Sequence, residues 1–258
     1  MMNSGLTTSL PGILVLILGA VAAGFLAGSG AVYLFNHLPA AWLGETQRQP
    51  GEQRLSGWPW KYALAAAFSV IGIDLAVQDW RYAAAALSAC WVLLLLGLAA
   101  GKYRRVPDPL VLLLALTGLG FAPYLDWLRQ MLPGAAVGAG GMLAVELILA
   151  HHRGTGTEGL PLTRMGAAIG LIGGWTGMVW TYLLGGTACG IAAALRLRRR
   201  RRSGEGEKTV PKQAAPDRSA APGKEEGAAG SRSFAAAAVP YFCAAAAFYL
   251  VVVQQFLQ

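Results

Sequence analysis

Asp74, Asp108, Glu146 and Glu158 are acidic residues in or beside apolar stretches of this 258-residue chain. A carboxylate in an apolar stretch is a candidate for function because its charge is expensive to bury. Asp74 falls near the end of its apolar run, where its side chain reaches water. Glu146 lies about one turn before His151, and Arg153 or Arg164 is its expected ion-pair partner. Asp108 directly precedes Pro109, the pattern of a helix start with an acidic N-cap and proline at the first helical position. Glu158 stands in a Gly-rich loop, where a solvated acid is the plainer reading. His151 and His152 are adjacent and lack further ligands, so the pair suits an interface with water better than a metal. Cys90, Cys189 and Cys243 each sit alone inside an apolar run and read as small buried residues. With no CxxC and no Ser–His–Asp spacing, neither a metal nor a cofactor is expected.

These residues must be positioned by membrane helices. The chain is 55% hydrophobic and 13% charged, and runs long enough to cross a bilayer recur along it. The fold class is therefore all-α: a polytopic integral membrane helical bundle of about eight spans. The expected spans are 9–35, 60–78, 82–100, 109–128, 134–151, 165–175, 177–196 and 233–256. The opening "MMNSGLTTSLPG" carries no Lys or Arg and reads as the start of the first span, not as a cleavable signal.

The formal net charge is +8, and its placement is more telling than its size. All 21 Lys and Arg residues except Arg81 and Arg129 fall in one set of loops. That set is the cytosolic one by the positive-inside rule, which leaves both termini outside. The run "RLRRRRR" has no interleaved aromatics, so it reads as an anchor on anionic lipid and not as a nucleic-acid site. Between Arg164 and Arg196 no charge appears. One span there would set the two basic ends on opposite sides, whereas two spans keep both cytosolic. The break is expected around Gly173–Gly177.

Organisation follows the same pattern. Residues 1–202 hold the first seven spans, and 233–258 hold the last span of the same domain. Residues 203–232, rich in Gly, Ala, Pro, Lys and Glu, form a disordered cytosolic linker because they offer too little apolar surface to fold. Glycines one turn apart mark packing faces at Gly24/Gly28, Gly134/Gly138, Gly166/Gly170/Gly174 and Gly186/Gly190.

Four stretches in order give the chain a family likeness. They are "GFLAGSGAVYLFNHLP" (24–39), "KYRRVPDPLVLLLALTGLG" (102–120), "EGLPLTRMGAAIGLIGGW" (158–175) and "SFAAAAVPYFCAAAAFYL" (233–250). Together they resemble the type IV prepilin peptidases, GxGD-type aspartic proteases of the bacterial cytoplasmic membrane. The likeness implies a prepilin-peptidase-like bundle in that membrane and a prepilin helix, or a pilus or type II secretion protein, as partner.

The departures fall on the chemistry. Counted back from Pro107, the first catalytic aspartate of the family corresponds to Ala100. The loop Gly159-Leu160-Pro161-Leu162 stands for GxGD, so the second corresponds to Leu162, with Arg164 at the family's Lys. An aspartic dyad needs two carboxylates sharing a proton, and neither Ala nor Leu supplies one. The Asn expected in the first span corresponds to Val32, and the loop 40–59 lacks the paired cysteines of active members. The implied protein is a catalytically inactive relative, with Lys102, Arg104, Arg105, Glu158 and Arg164 as substrate-binding candidates at the cytosolic mouth. Two alternatives stand beside it: an active peptidase using the displaced acids Asp108, Glu158 or Glu146, and a transporter or lipid-handling protein on the same scaffold.

Overall fold

The computed structural model describes residues 10–43, 54–153, 161–204 and 226–254. Most of those residues are helical, with no strand among them. The helices are α1 (Leu10–His37), the short α2 (Ala40–Leu43), α3 (Gly57–Gln78), α4 (Trp80–Tyr103), α5 (Asp108–Gly118), α6 (Leu132–Arg153), α7 (Pro161–Gly204) and α8 (Glu226–Phe248). A 3-10 turn, Leu119–Phe121, extends α5; π-helical turns at Trp127–Met131 and Tyr249–Val253 lead into α6 and out of α8. Five helical stretches are long and apolar enough to cross a membrane: Ile17–His37, Gly57–Val77, Trp80–Tyr103, Leu128–Ile148 and Pro161–Leu195. Two shorter apolar helices, Asp108–Phe121 and Ala237–Val253, accompany them.

Packing is set by small residues, as lipid tails compete equally well for large apolar side chains. α1 and α3 meet backbone to backbone: a Cβ on Gly24 would overlap Ser69, and one on Gly28 would overlap Ala65. α6 and α7 meet the same way, Gly134 against Gly170 and Gly174, and Gly138 against Gly166. α4 lies at the centre, with Ala86, Ala89, Leu95, Leu96, Ala99 and Ala100 buried. Its Gly97 and Gly101 receive α8 at Pro240 and Cys243, and the Trp91 indole donates to the Ala27 carbonyl of α1 at 3.0 Å.

The expected break in α7 falls at Gly174, whose φ of 64° and ψ of −172° interrupt the helix. Only glycine adopts that backbone region without strain. The segment before it, from Pro161, packs on α6. The segment after it meets α8 and the π-helical turn that follows, with Gly185 against Phe242 and Gly177 against Tyr249.

Several expectations need correction. The helix expected over 109–128 ends at Phe121, because the chain turns through Ala122 to Asp126 before the π-helical turn. Among the described residues the Gly186/Gly190 pair has no packing partner: a Cβ at either would meet open space. Small residues permit close approach but do not supply the partner. The expected linker 203–232 is not decided by these helices: α7 runs to Gly204, α8 begins at Glu226, and 205–225 lies outside the described residues.

Candidate functional site

The sequence candidates converge where the last turn of α4, the first turn of α5, the end of α6 and the first turn of α7 meet. α4 ends at Arg104, which caps it in the left-handed conformation with φ 54° and donates its amide to the Ala100 carbonyl at 3.0 Å. A non-glycine residue there is strained by about 1–3 kcal/mol. The reversal directs Arg105 and Val106 toward Pro107, the true N-cap of α5.

Asp108 is therefore not the cap. It is the first helical residue of α5, and Pro107 accepts the first helical bonds, from Leu110 and Val111. The Asp108 carboxylate instead meets the Arg164 guanidinium at 2.9 Å, in an exposed ion pair between α5 and α7. Its charge near the helix N-terminus remains favourable there.

Glu146 is also corrected. It is buried in α6, and Arg164, which pairs with Asp108, is not its partner; the Arg153 side chain lies outside the described ones. One carboxylate oxygen accepts the Leu162 amide at 2.7 Å, and the other accepts the Thr163 hydroxyl at 2.6 Å. The first turn of α7 has amides with no helical partner, and Glu146 supplies the acceptor from a neighbouring helix. That solves two problems together: a buried carboxylate gains donors and a helix start gains a cap.

Ala100 and Leu162 are both in the core, at 0% and 1% exposure. Neither offers a polar atom beyond its backbone. Lys102 donates to the Arg54 carbonyl and lies 5.6 Å from the Tyr103 ring centroid. Arg104, Arg105 and Arg164 are exposed. The structure thus brings Asp108, Arg164, Glu146 and Leu162 to one helix start, and it places Lys102, Arg104 and Arg105 on the adjoining end of α4. Glu158 lies outside the described residues. His151 is exposed near the end of α6, and Asp74 is exposed near the end of α3. Cys90 and Cys243 are buried, and Cys189 is half-buried. No cluster of three metal-ligating side chains occurs among the described residues.

Two polar clusters were not singled out from the sequence. At the mouth end, buried Arg54 donates to the Phe35 and Leu38 carbonyls at 3.1 and 2.5 Å. These satisfy the C-terminus of α1. Asn36 exchanges two hydrogen bonds with the Leu55 backbone, at 3.1 and 2.8 Å. At the opposite end, Asp79 caps α4 through the Arg81 amide at 2.9 Å and accepts the Tyr124 hydroxyl at 2.7 Å. Burial pushes the Asp79 carboxyl up, but the Tyr124 hydroxyl, the Arg81 and Tyr82 amides and the Arg81 charge outweigh it and hold it below its ordinary value. Burial and the same carboxylate raise the Tyr124 phenol to about 12. Asp79 followed by the first apolar turn was a readable capping signal; its reach to Tyr124 was not readable from local sequence.

A small apolar cavity of about 10 Å³ lies beside the Gly174 break, lined by residues including Ile169, Gly173, Thr181 and Tyr249. That is room for one water at most. Compared with known proteins, the chain matches no family model, no curated protein and no solved structure.

Proposed function

We propose that this chain is a prepilin-peptidase-like membrane protein without proteolytic activity, which holds a prepilin-type helix or a pilus or type II secretion partner at the mouth described above. The observation that carries the reading is the state of Ala100 and Leu162. Both stand where the resemblance calls for catalytic aspartates, and both are apolar and fully buried. Water activation needs a carboxylate that meets water and substrate. The exposed cations Arg104 and Arg105 and the Asp108–Arg164 pair suit the charged segment that precedes a prepilin helix. In this reading the protein sits in the bacterial cytoplasmic membrane with the mouth cytosolic and both termini outside. α7 crosses as two segments joined at Gly174, which brings the total to about eight spans.

The displaced-acid alternative gains one specific observation: Asp108 and Glu146 both reach the first turn of α7, through Arg164 and through Leu162 with Thr163. Each acid, however, already has its own donors, whereas a dyad shares one proton between two carboxylates.

The test is reconstitution of the full chain with a prepilin carrying a photo-crosslinker just before its apolar helix. The expected result is crosslinking to the mouth with no cleavage, weakened by Arg104→Gln with Arg105→Gln. Cleavage by the wild type that disappears in Asp108→Asn or Glu158→Gln would establish the displaced-acid enzyme instead.

A further inference from the structure

α5 is too short for the bilayer that its neighbours span. Its apolar run from Pro109 to Phe121, an α-helix closed by a 3-10 turn, covers about 21 Å, against about 30 Å of hydrocarbon. α4, with 24 residues, and α6, with 22, cover about 33–36 Å. At the end of α5 away from the mouth, the turn Ala122–Asp126 makes up length: Ala122 and Pro123 are exposed there, and the Tyr124 hydroxyl reaches Asp79 at the α3–α4 turn. At the mouth the gap is bounded by charge. A Cβ on Gly120 would touch Ala85 of α4, which sets the register of the two helices. From that level α4 climbs about 25 Å to Lys102, whereas α5 climbs about 19 Å to Asp108. α6 repeats the offset: Glu146 holds the Leu162 amide at the start of α7, and α6 runs on for about 8 Å to His151.

The Asp108–Arg164 pair, largely exposed on both sides, thus stands about 6–8 Å deeper than Lys102 and His151. The face leading to it is apolar and open, with Leu112, Leu116 and Leu119 exposed. In a flat bilayer acyl chains would meet the ion pair and strip its water, which is costly. A spanning partner helix on this face would do the same, because its own apolar length of about 30 Å runs past the pair. Lipid can yield where a helix cannot, since a bilayer thins beside a short apolar surface at modest cost. From this geometry we infer that the exposed face of α5 binds a locally thinned bilayer, whose mouth-side headgroups dip by about 6–8 Å to the level of Asp108 and Arg164. The inference needs only that the chain spans a membrane, and it is independent of the partner proposed above.

The test reads depth with a nitroxide on the full chain in dioleoyl-phosphatidylcholine vesicles. Leu112→Cys on α5 and Ala63→Cys on α3 label two exposed positions, both about 22 Å from the α3–α4 turn. The wild type, labelled in parallel, is the blank for Cys189. Depth follows from the ratio of relaxation by oxygen, which enters the acyl region, to relaxation by a water-soluble nickel chelate. A flat bilayer gives the two labels equal depth. The expected result is a Leu112 label about 6–8 Å shallower than the Ala63 label. The difference should shrink in dimyristoleoyl-phosphatidylcholine, whose thinner core already matches α5. Asp108→Leu with Arg164→Leu, which removes the charges that need water, should also reduce it. Equal depths in dioleoyl-phosphatidylcholine would overturn the inference. A Leu112 label shielded from both reagents would show a protein partner on α5 in place of lipid. A label open to the chelate but not to oxygen, whatever the chain length, would show a water-filled recess. Either of these outcomes would overturn the assignment to a thinned bilayer.

Discussion

The Glu146 carboxylate accepts the Leu162 amide at 2.7 Å, so a buried acid of α6 serves as the cap of α7. The two residues are separated by a loop outside the described residues and joined by this bond and the Thr163 hydroxyl. Removing the carboxylate leaves a buried amide without an acceptor, at about 1–3 kcal/mol. Glu146→Ala is therefore expected to destabilise the protein by about 2 kcal/mol, read as a lower unfolding midpoint in mixed micelles. Glu146→Gln keeps an acceptor oxygen and should lose clearly less. Equal losses would show that the cap bond is not what the acid contributes.

The glycine faces separate into packed and open ones. Gly138→Ala would drive its methyl group into the Gly166 carbonyl, and backbone on both sides leaves nothing to yield. An overpacking loss of about 1–3 kcal/mol or more is expected. At Gly186 a methyl group meets open space, and Gly186→Ala should stabilise by about 0.4–1 kcal/mol through the unfolded chain. Thermal unfolding of both variants in one detergent checks the contrast, and equal effects would contradict the packing.

At the other end the Tyr124–Asp79 bond predicts alkaline sensitivity. The Tyr124 phenol is raised to about 12 by burial and by the Asp79 carboxylate, against about 10 in an unfolded chain. The folded state thus holds its proton more tightly. The contribution is fully present below pH 10 and is lost as pH rises from there to about 12. Asp79 has the opposite sign: its lowered value makes its contribution present above about pH 4 and lost on acidification. Tyr124→Phe should flatten the alkaline limb of the stability profile. The phenolate absorbance of Tyr124, read as the difference between wild type and variant, should titrate above that of exposed tyrosines.

How much of this could be read in the sequence depended on range. The break in α7 was legible because charge parity required two segments and Gly173-Gly174 offered the one cheap place to interrupt a helix; the structure puts it at Gly174. Gly24, Gly28, Gly134 and Gly138 were legible for a similar reason, since small residues one turn apart mark close approach. Gly186 and Gly190 carry the same local signal without a partner, which spacing cannot reveal. Asp108 and Glu146 were found as acids but assigned the wrong contacts. Asp–Pro is an N-cap pattern locally, yet Arg164, brought in by the fold, claims the carboxylate. Glu146 was expected to seek a cation, and a helix start supplied the donors instead. Arg54 had no signal: a single arginine in a polar connection looks solvated until it turns under the end of α1.

The last prediction tests the proposed reading, in which Ala100 and Leu162 stand where acids would be. Ala100 and Leu162 are at 0% and 1% exposure, so an aspartate at either enters a dry site without a prepared partner. Such a group takes up a proton in place of ionising, and a dyad acts as a unit. Ala100→Asp and Leu162→Asp singly are therefore expected to yield no prepilin cleavage. The double exchange is expected to fail as well. Pro161 fixes φ near −65° where the GxGD loop of the prepilin peptidases, under the proposed resemblance, has glycine, and the Leu162 amide is already held by Glu146. Adding Pro161→Gly and Glu146→Ala to the double exchange removes both restraints and is the variant in which cleavage should first appear. Cleavage of a reconstituted prepilin, followed by mass spectrometry of the released leader, reads all four variants beside the wild type. Activity in either single variant would show that the remaining carboxylate has a partner elsewhere, and would move the inactive reading aside.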